Sequence, residues 1–112
     1  MKVLDRVQVA KTVRAFLDIK RPADPAIRVK LDFGFRFQRQ SVELLEIRPK
    51  FNKPGKTEHA FAKATFIRSQ GVWMVYWMRG NLKWHPYVPA KVRSLSAFLK
   101  LVGEDKHHCF FV

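Results

Sequence analysis

The sequence predicts an α+β fold: an N-terminal helix, a five-stranded and mostly antiparallel sheet, a second helix and a short C-terminal strand, with the helices on one sheet face. Apolar residues near the start of the chain recur every three or four positions, as they do on a helix. Residues 27–37 alternate strictly between apolar and other residues, as they do on a strand. With 112 residues, the chain has room for a single domain, residues 1–112.

The first helix is predicted over residues 2–20. Its apolar stripe comprises Val3, Val7, Ala10, Val13 and Leu17. Proline cannot continue a helix, so Pro22 and Pro25 are expected to end it.

The first strand is predicted over Ile27–Phe37, where every second residue is apolar. Arg28, Lys30 and Arg36 then lie on its other face, which is mostly cationic. A turn at Arg39-Gln40 leads into the second strand.

The second strand is predicted over Ser41–Arg48, and its alternation slips at Leu44-Leu45, which indicates a bulge or burial on both faces. A loop follows over Pro49–His59, with Pro-Gly punctuation. The next segment holds all three tryptophans and both tyrosines and is divided by turns into three strands: Ala60–Arg68, Val72–Arg79 and Leu82–Val88.

The Gly80-Asn81 step predicts a two-residue hairpin loop, because both residue types tolerate positive φ. Such a loop pairs Arg79 with Leu82 and Trp77 with Trp84. The three tryptophans then share the core face, and the outer face carries Tyr76, Lys83, His85 and Tyr87, together with Met74 and Met78. A change of one residue in the loop would move one strand's residues to opposite faces.

The second helix is predicted over Leu95–Val102, with Ser94 as its N-cap and Gly103 at its C-terminal end. A short apolar strand is predicted over His108–Val112.

The charge is the strongest global signal, since 22 Lys and Arg against nine Asp and Glu give a net charge of +13. Such a protein attracts polyanions, although a cationic surface also keeps an aromatic-rich domain soluble. One cysteine excludes an internal disulfide, charged residues interrupt any signal-peptide core, and no apolar run approaches the roughly 20 residues that span a bilayer. These features predict a cytoplasmic protein without membrane partners.

Nucleic-acid binding is the first functional hypothesis, because cations neutralise phosphates and exposed rings stack on unpaired bases. The candidate residues are Arg28, Lys30, Arg36, Arg48, Lys63, Arg68, Tyr76, Lys83, His85 and Tyr87. No established RNA- or DNA-binding motif is present, so we expect weak sequence preference. No Ser-His-Asp, P-loop or Rossmann glycine pattern is present either, so we expect no catalysis. The alternative interpretation is a solvated basic face with ordinary sheet aromatics.

A magnesium-dependent nuclease is an enzymatic alternative, with Asp32 and Glu46 as metal ligands and Arg48 beside the phosphate. An arginine stands where lysine is usual, and the sheet has too many strands for that nuclease core. Asp32 and Glu46 are more simply interpreted as ion-pair partners of neighbouring cations. No metal-ligand spacing is present, so no cofactor or metal ion is predicted.

A homodimer is the third possibility, through the aromatic outer face of the sheet or through the C-terminal strand. Excess aromatics on a short chain are typical of an interface. A dimer through the outer face would remove it as a nucleic-acid platform.

Four segments carry a resemblance to a known family: LDFGFRF, VELLEIRP, AKATFIRSQGVWMVYWMRGNLKWHPY and SLSAFLKLVGEDKHHCFF. Together they resemble the bacterial domain-of-unknown-function 3024 family over two-thirds or more of the chain. The resemblance implies a small cytoplasmic bacterial protein of the kind carried on mobile gene cassettes. It implies no activity and no site residues. Gly80-Asn81 stands where the family pattern has an acidic residue before LKWH.

Overall fold

The computed structural model describes residues 5–50, 52–105 and 110. The elements in chain order are α1 (Arg6–Lys20), α2 (Pro25–Arg28), β1 (Asp32–Gln38), β2 (Ser41–Pro49), β3 (Lys56–Ile67), β4 (Val72–Met78), β5 (Trp84–Val92) and α3 (Leu95–Glu104). The five strands form one sheet in the order β1-β2-β3-β4-β5, and each strand is antiparallel to the next. The predicted α+β class with one five-stranded antiparallel sheet is confirmed. Among the described residues, no helix is long and apolar enough to cross a membrane.

Helix α1 begins after Asp5, whose carboxylate accepts a hydrogen bond from the Gln8 backbone N–H. Val9, Val13 and Leu17 are buried along one side of the helix. The helix ends at Lys20, as predicted. Val7 was expected in the same stripe, but it is 71% exposed. The buried stripe is therefore narrower than the sequence indicated.

The first strand begins at Asp32, and the prediction that it begins at Ile27 is wrong. The short helix α2 lies there instead, with Pro25 in its first turn. The Asp24 carboxylate caps this helix by accepting a hydrogen bond from the Ala26 N–H at 2.9 Å. Ile27 and Val29 are exposed to 52% and 62% of their area. An Asp-Pro helix start is a local signal that overrode the alternation of apolar residues.

The pairing of β2 with β3 contains the predicted irregularity. Leu44 pairs with Ala62 and Leu45 with Ala60, so Phe61 is the extra residue and the bulge lies on β3. Both leucines are buried, as the slipped alternation indicated. Strand β2 ends at Pro49 and strand β3 begins at Lys56, so Pro49 and residues 56–59 of the predicted loop belong to strands.

The loop between β4 and β5 spans residues 79–83, and the predicted two-residue loop is wrong. The Leu82 N–H donates to the Arg79 carbonyl at 2.9 Å, and the Arg79 N–H donates to the Lys83 carbonyl at 3.2 Å. Leu82 takes a left-handed conformation, with φ of 61°. Consequently Trp77 pairs with His85 and Met78 pairs with Trp84. Every residue at the start of β5 therefore lies on the other side of the sheet from its predicted position.

We call one side of the sheet the core face, because its alternate residues join the main buried cluster. These residues are Val42, Leu44, Ala62, Ala64, Trp73 and Val75. The cluster also contains buried side chains of α1 and α3: Val9, Val13, Leu17, Leu95, Phe98, Leu99 and Val102. We call the other side the opposite face. It carries Arg36, Glu43, Lys63, Tyr76 and Trp84.

Helix α3 is capped by Ser94, whose hydroxyl accepts a hydrogen bond from the Ala97 N–H at 3.1 Å. Its C-cap is Asp105, with φ of 45°, and not the predicted Gly103. The Asp105 carboxylate accepts a hydrogen bond from the Phe110 N–H, and Phe110 is buried in the main cluster. Apart from Phe110, the strand predicted over residues 108–112 lies outside the described residues.

Candidate functional site

A row of polar and aromatic side chains crosses the opposite face in register. Arg36 on β1 lies beside Glu43 on β2, Glu43 beside Lys63 on β3, and Lys63 beside Tyr76 on β4. Trp84 on β5 lies diagonally from Tyr76, because its partner is Met78, two residues further along β4. We call these five residues the Lys63 cluster.

The Lys63 ammonium lies over two aromatic rings. Its nitrogen is 4.7 Å from the centre of the Tyr76 ring and 4.8 Å from the centre of the Trp84 ring. An ammonium at these distances is attracted by the negative face of a π-system, by about 0.5–2 kcal/mol per contact. The two rings therefore hold a cation at the middle of the sheet, where they are themselves half-buried.

Glu43 balances part of the charge beside Lys63. The Arg36 guanidinium donates a hydrogen bond to the Glu43 carboxylate at 2.7 Å, and the Glu43 side chain is only 9% exposed. Burial lowers the pKa of Lys63, and the negative charge of Glu43 partly opposes that shift. The formal charge of the cluster is +1, from two cations and one carboxylate.

Local sequence explains how the cluster forms. The period of two along a strand sends Lys63 to one side and Ala62 and Ala64 to the buried core face. The long loop before β5 moves Trp84 to the same side as Lys63. Without that shift, Trp84 would lie on the core face beside Trp77.

Three of the predicted nucleic-acid-binding residues are brought together in this cluster: Arg36, Lys63 and Tyr76. Arg28 lies elsewhere, since its guanidinium donates to the Pro22 and Ala23 carbonyls at 2.7 and 3.0 Å. Lys30 is exposed in the turn that follows α2. Neither residue lies on a strand. Of the three cations predicted for one face of the first strand, Arg36 lies on β1.

Tyr87 and His85 do not lie on the face where the sequence placed them. Tyr87 is 3% exposed, belongs to the main buried cluster and packs on Phe110 with ring centres 4.9 Å apart. His85 pairs with Trp77 on the core side, with ring centres 6.1 Å apart. Within the described part of the chain, the His85 Nε2 atom is buried without a hydrogen-bond partner. The changed hairpin register is the reason for both corrections.

The remaining predicted cations are exposed at the ends of strands. Lys83 closes the loop before β5, where its N–H donates to the Asn81 side chain at 3.1 Å. Arg68 lies in the turn after β3. Arg48, near the end of β2, is 57% exposed and lies 3.4 Å from the Glu46 carboxylate.

The residues of the nuclease hypothesis are engaged with one another and with Arg21. The Arg21 guanidinium donates two hydrogen bonds to Asp32, at 2.6 and 2.9 Å, and this contact lowers the pKa of Asp32. Glu46 pairs with Arg48. Both carboxylates thus form ion pairs, as the simpler interpretation predicted. In the described ranges, no three residues of the types His, Cys, Asp and Glu gather as a metal site would require.

Sequence reasoning missed two members of the cluster, Trp84 and Glu43. Trp84 was assigned to the core because the loop length was wrong. Glu43 was assigned no binding role, although its position opposite Arg36 follows from the short turn at residues 39–40. The signal that could have found it is the hairpin register between β1 and β2.

These features define a small α+β protein built on one antiparallel five-stranded sheet with a cationic and aromatic cluster at its centre. The chain belongs to the family described as a domain of unknown function (DUF3024), whose family model matches residues 1–112. The resemblance drawn from the sequence is confirmed over the full chain. No curated protein matches the chain, and no solved structure matches it.

Proposed function

We propose that this protein binds single-stranded nucleic acid through the opposite face of its sheet, without catalysis and with weak sequence preference. In this proposal both long helices cover the core face and leave the opposite face accessible. Tyr76 and Trp84 stack on unpaired bases, and Lys63 turns from the rings to a phosphate. The compartment that we propose is the bacterial cytoplasm.

The observation that carries the proposal is the contact of the Lys63 ammonium with two aromatic rings. Single-strand-binding surfaces combine cations that follow the backbone with rings on which bases stack, and each stacked base contributes about 1–3 kcal/mol. Lys63, Tyr76 and Trp84 supply both components within one cluster. Every base has a π-face, so such a surface has little sequence preference.

The charge of the whole chain supports the same proposal. The net charge of +13 raises the local concentration of a polyanion around the protein and speeds its association. Arg36 adds a second cation to the same row, two strands from Lys63 and with Glu43 between them. Its guanidinium remains accessible because its side chain is 45% exposed. Arg36 and Lys63 therefore offer phosphates two separate positions along the row.

The test is fluorescence anisotropy with labelled single-stranded DNA and RNA of about 16 nucleotides, in a salt series from about 50 to 300 mM. We expect the logarithm of affinity to fall linearly with the logarithm of salt concentration. Lys63→Met should weaken binding more than Lys100→Met, which removes the same charge from the exposed side of α3. Binding that is absent near physiological salt, or equal effects of the two substitutions, would falsify the proposal.

The homodimer stays a prediction, with the opposite face or the C-terminal strand as its interface. A dimer through the opposite face would bury the Lys63 cluster and compete with nucleic acid. Light scattering after size exclusion, with and without oligonucleotide, distinguishes the two functions. A dimer that dissociates when oligonucleotide binds would indicate one shared surface.

A further inference from the structure

Strands β2 and β3 extend beyond their neighbours as a two-stranded ribbon. In the described residues, the pairing of β1 with β2 ends at Ile47, and the pairing of β4 with β3 ends at Ala62. Arg48 pairs with Thr57 and Pro49 pairs with Lys56, so these pairs lie outside the rest of the sheet. We call residues 48–50 and 52–57 the β2–β3 ribbon.

The ribbon concentrates positive charge on exposed residues. Residues 48–57 contain four cations and no acidic residue. The cations are Arg48, Lys50, Lys53 and Lys56, and each of them is exposed. Glu46 at the base of the ribbon pairs with Arg48 at 3.4 Å. The three lysines are thus presented to solvent at the end of a projecting element.

Little in the protein itself stabilises this projection. All of the described ribbon residues are exposed, and a two-stranded hairpin without a buried face is marginally stable in water. Its turn contains a backbone hydrogen bond from the Lys50 N–H to the Gly55 carbonyl at 3.1 Å. Like charges on neighbouring strands repel. Contact with a polyanion would relieve that repulsion and would add the missing stabilisation.

We propose that the β2–β3 ribbon inserts into the major groove of duplex DNA, where Lys50, Lys53 and Lys56 contact phosphates. The major groove of B-form DNA is about 12 Å wide and admits a two-stranded ribbon, whereas the major groove of A-form RNA is deep and narrow. This inference rests on the proposed nucleic-acid function. It adds a second binding site, separate from the Lys63 cluster, and a second form of substrate.

The experiment measures anisotropy of a labelled DNA duplex of about 16 base pairs against salt, using the wild-type chain and three full-length variants. The ribbon variant is K50A/K53A/K56A, and the matched variant is K11A/K91A/K100A, which removes three exposed lysines outside the ribbon. For the ribbon variant we expect the salt slope to fall by about 2.7, because each phosphate contact contributes roughly 0.9. For the matched variant we expect a change below about one. A charge-preserving variant, K50R/K53R/K56R, should keep the wild-type slope.

The possible outcomes separate the two proposals. Equal slopes for the ribbon and matched variants overturn the ribbon inference, and so does a wild-type protein that does not bind duplex DNA. Equal affinity for duplex RNA overturns insertion into the major groove. If Lys63→Met weakens single-strand binding while the ribbon variant leaves duplex binding intact, the proposed function stands and the ribbon inference fails. If the ribbon variant weakens duplex binding while Lys63→Met leaves single-strand binding intact, the ribbon binds duplex DNA independently of the Lys63 cluster.

Discussion

The Lys63 ammonium lies 4.8 Å from the centre of the Trp84 ring, although the two residues are on strands that are not neighbours in the sheet. Strand β4 separates β3 from β5, and Tyr76 on that strand lies 4.7 Å from the same ammonium. One lysine thus connects three strands on the opposite face. The contact depends on the loop at residues 79–83, which puts Trp84 on that face.

Trp84→Ala should weaken single-strand binding by about 1–3 kcal/mol, or roughly 5- to 150-fold, because it removes one stacking surface. Trp84→Phe keeps a smaller ring and should recover most of the affinity. The measurement is the anisotropy titration at fixed salt, with circular dichroism to verify folding. If the alanine and phenylalanine variants bind equally, base stacking on this residue is excluded.

Lys63 should make the free energy of unfolding depend on pH in the alkaline range. Burial lowers its pKa, so the folded protein releases this proton at a lower pH than the unfolded chain does. In the window between the folded pKa and the ordinary value of 10.5, the unfolded chain binds more protons, and the free energy of unfolding rises with pH. Urea unfolding at several pH values from roughly 8 to 11 should therefore show wild type gaining stability relative to Lys63→Met. Lys100→Met is the matched control for the loss of one charge.

The contact between Arg21 and Asp32 should stabilise the protein at neutral pH and lose this effect in acid. The pKa of Asp32 is lowered in the folded state, so its contribution is complete above the ordinary value of 3.8 and disappears as the pH falls through the folded value. Asp32→Asn should cost about 1–2 kcal/mol at pH 7, where a bidentate, charge-assisted hydrogen bond is lost.

The control for this prediction is Asp18→Asn. Asp18 lies 3.9 Å from the same guanidinium but is 70% exposed, so its removal should change stability by only a few tenths of a kcal/mol. Chemical denaturation at neutral pH and near pH 2 gives both comparisons. A difference between wild type and Asp32→Asn that persists unchanged in acid would mean that the ion pair is not its cause.

Leu82→Gly should increase stability by about 0.5–1 kcal/mol. Leu82 has a φ of 61° and is 71% exposed, so it bears the steric cost of a left-handed conformation without compensating burial. Gly71→Ala is the converse test, because Gly71 has a φ of 65° and open space around an added Cβ. It should destabilise by about 1 kcal/mol through the backbone alone. Thermal unfolding of both variants checks the pair, and a stabilising Gly71→Ala would contradict the argument.

The parts of the fold that local pattern determines could be predicted from the sequence. The end of α1 at Lys20, the Ser94 cap and the buried stripe of α3 follow from helical periodicity and capping chemistry. The strand order follows from short turns between consecutive antiparallel strands. These features depend on residues within one or two turns of each other, where propensity and periodicity are informative.

The candidate site could be predicted only in part, because it depends on register. Gly80 and Asn81 permit more than one loop length, and the observed loop needs a left-handed leucine that no propensity favours. Successive side chains on a strand point to alternate faces, so a small change in loop length moves every side chain of the strand to the other face. Trp84 therefore lies on the opposite face, where His85 and Tyr87 were predicted. Arg36 and Lys63 both lie within segments that the sequence predicted as strands.

The prolines of β5 limit how chains can aggregate. Pro86 and Pro89 stand in the outermost strand on one side of the sheet and have no N–H to offer to an added strand. Strand β1, outermost on the other side, contains no proline. Chains that joined edge to edge through β1 would present a β5 strand at each end of the joined sheet. The two prolines disfavour further strand addition at these ends, and with it growth into amyloid-like fibrils.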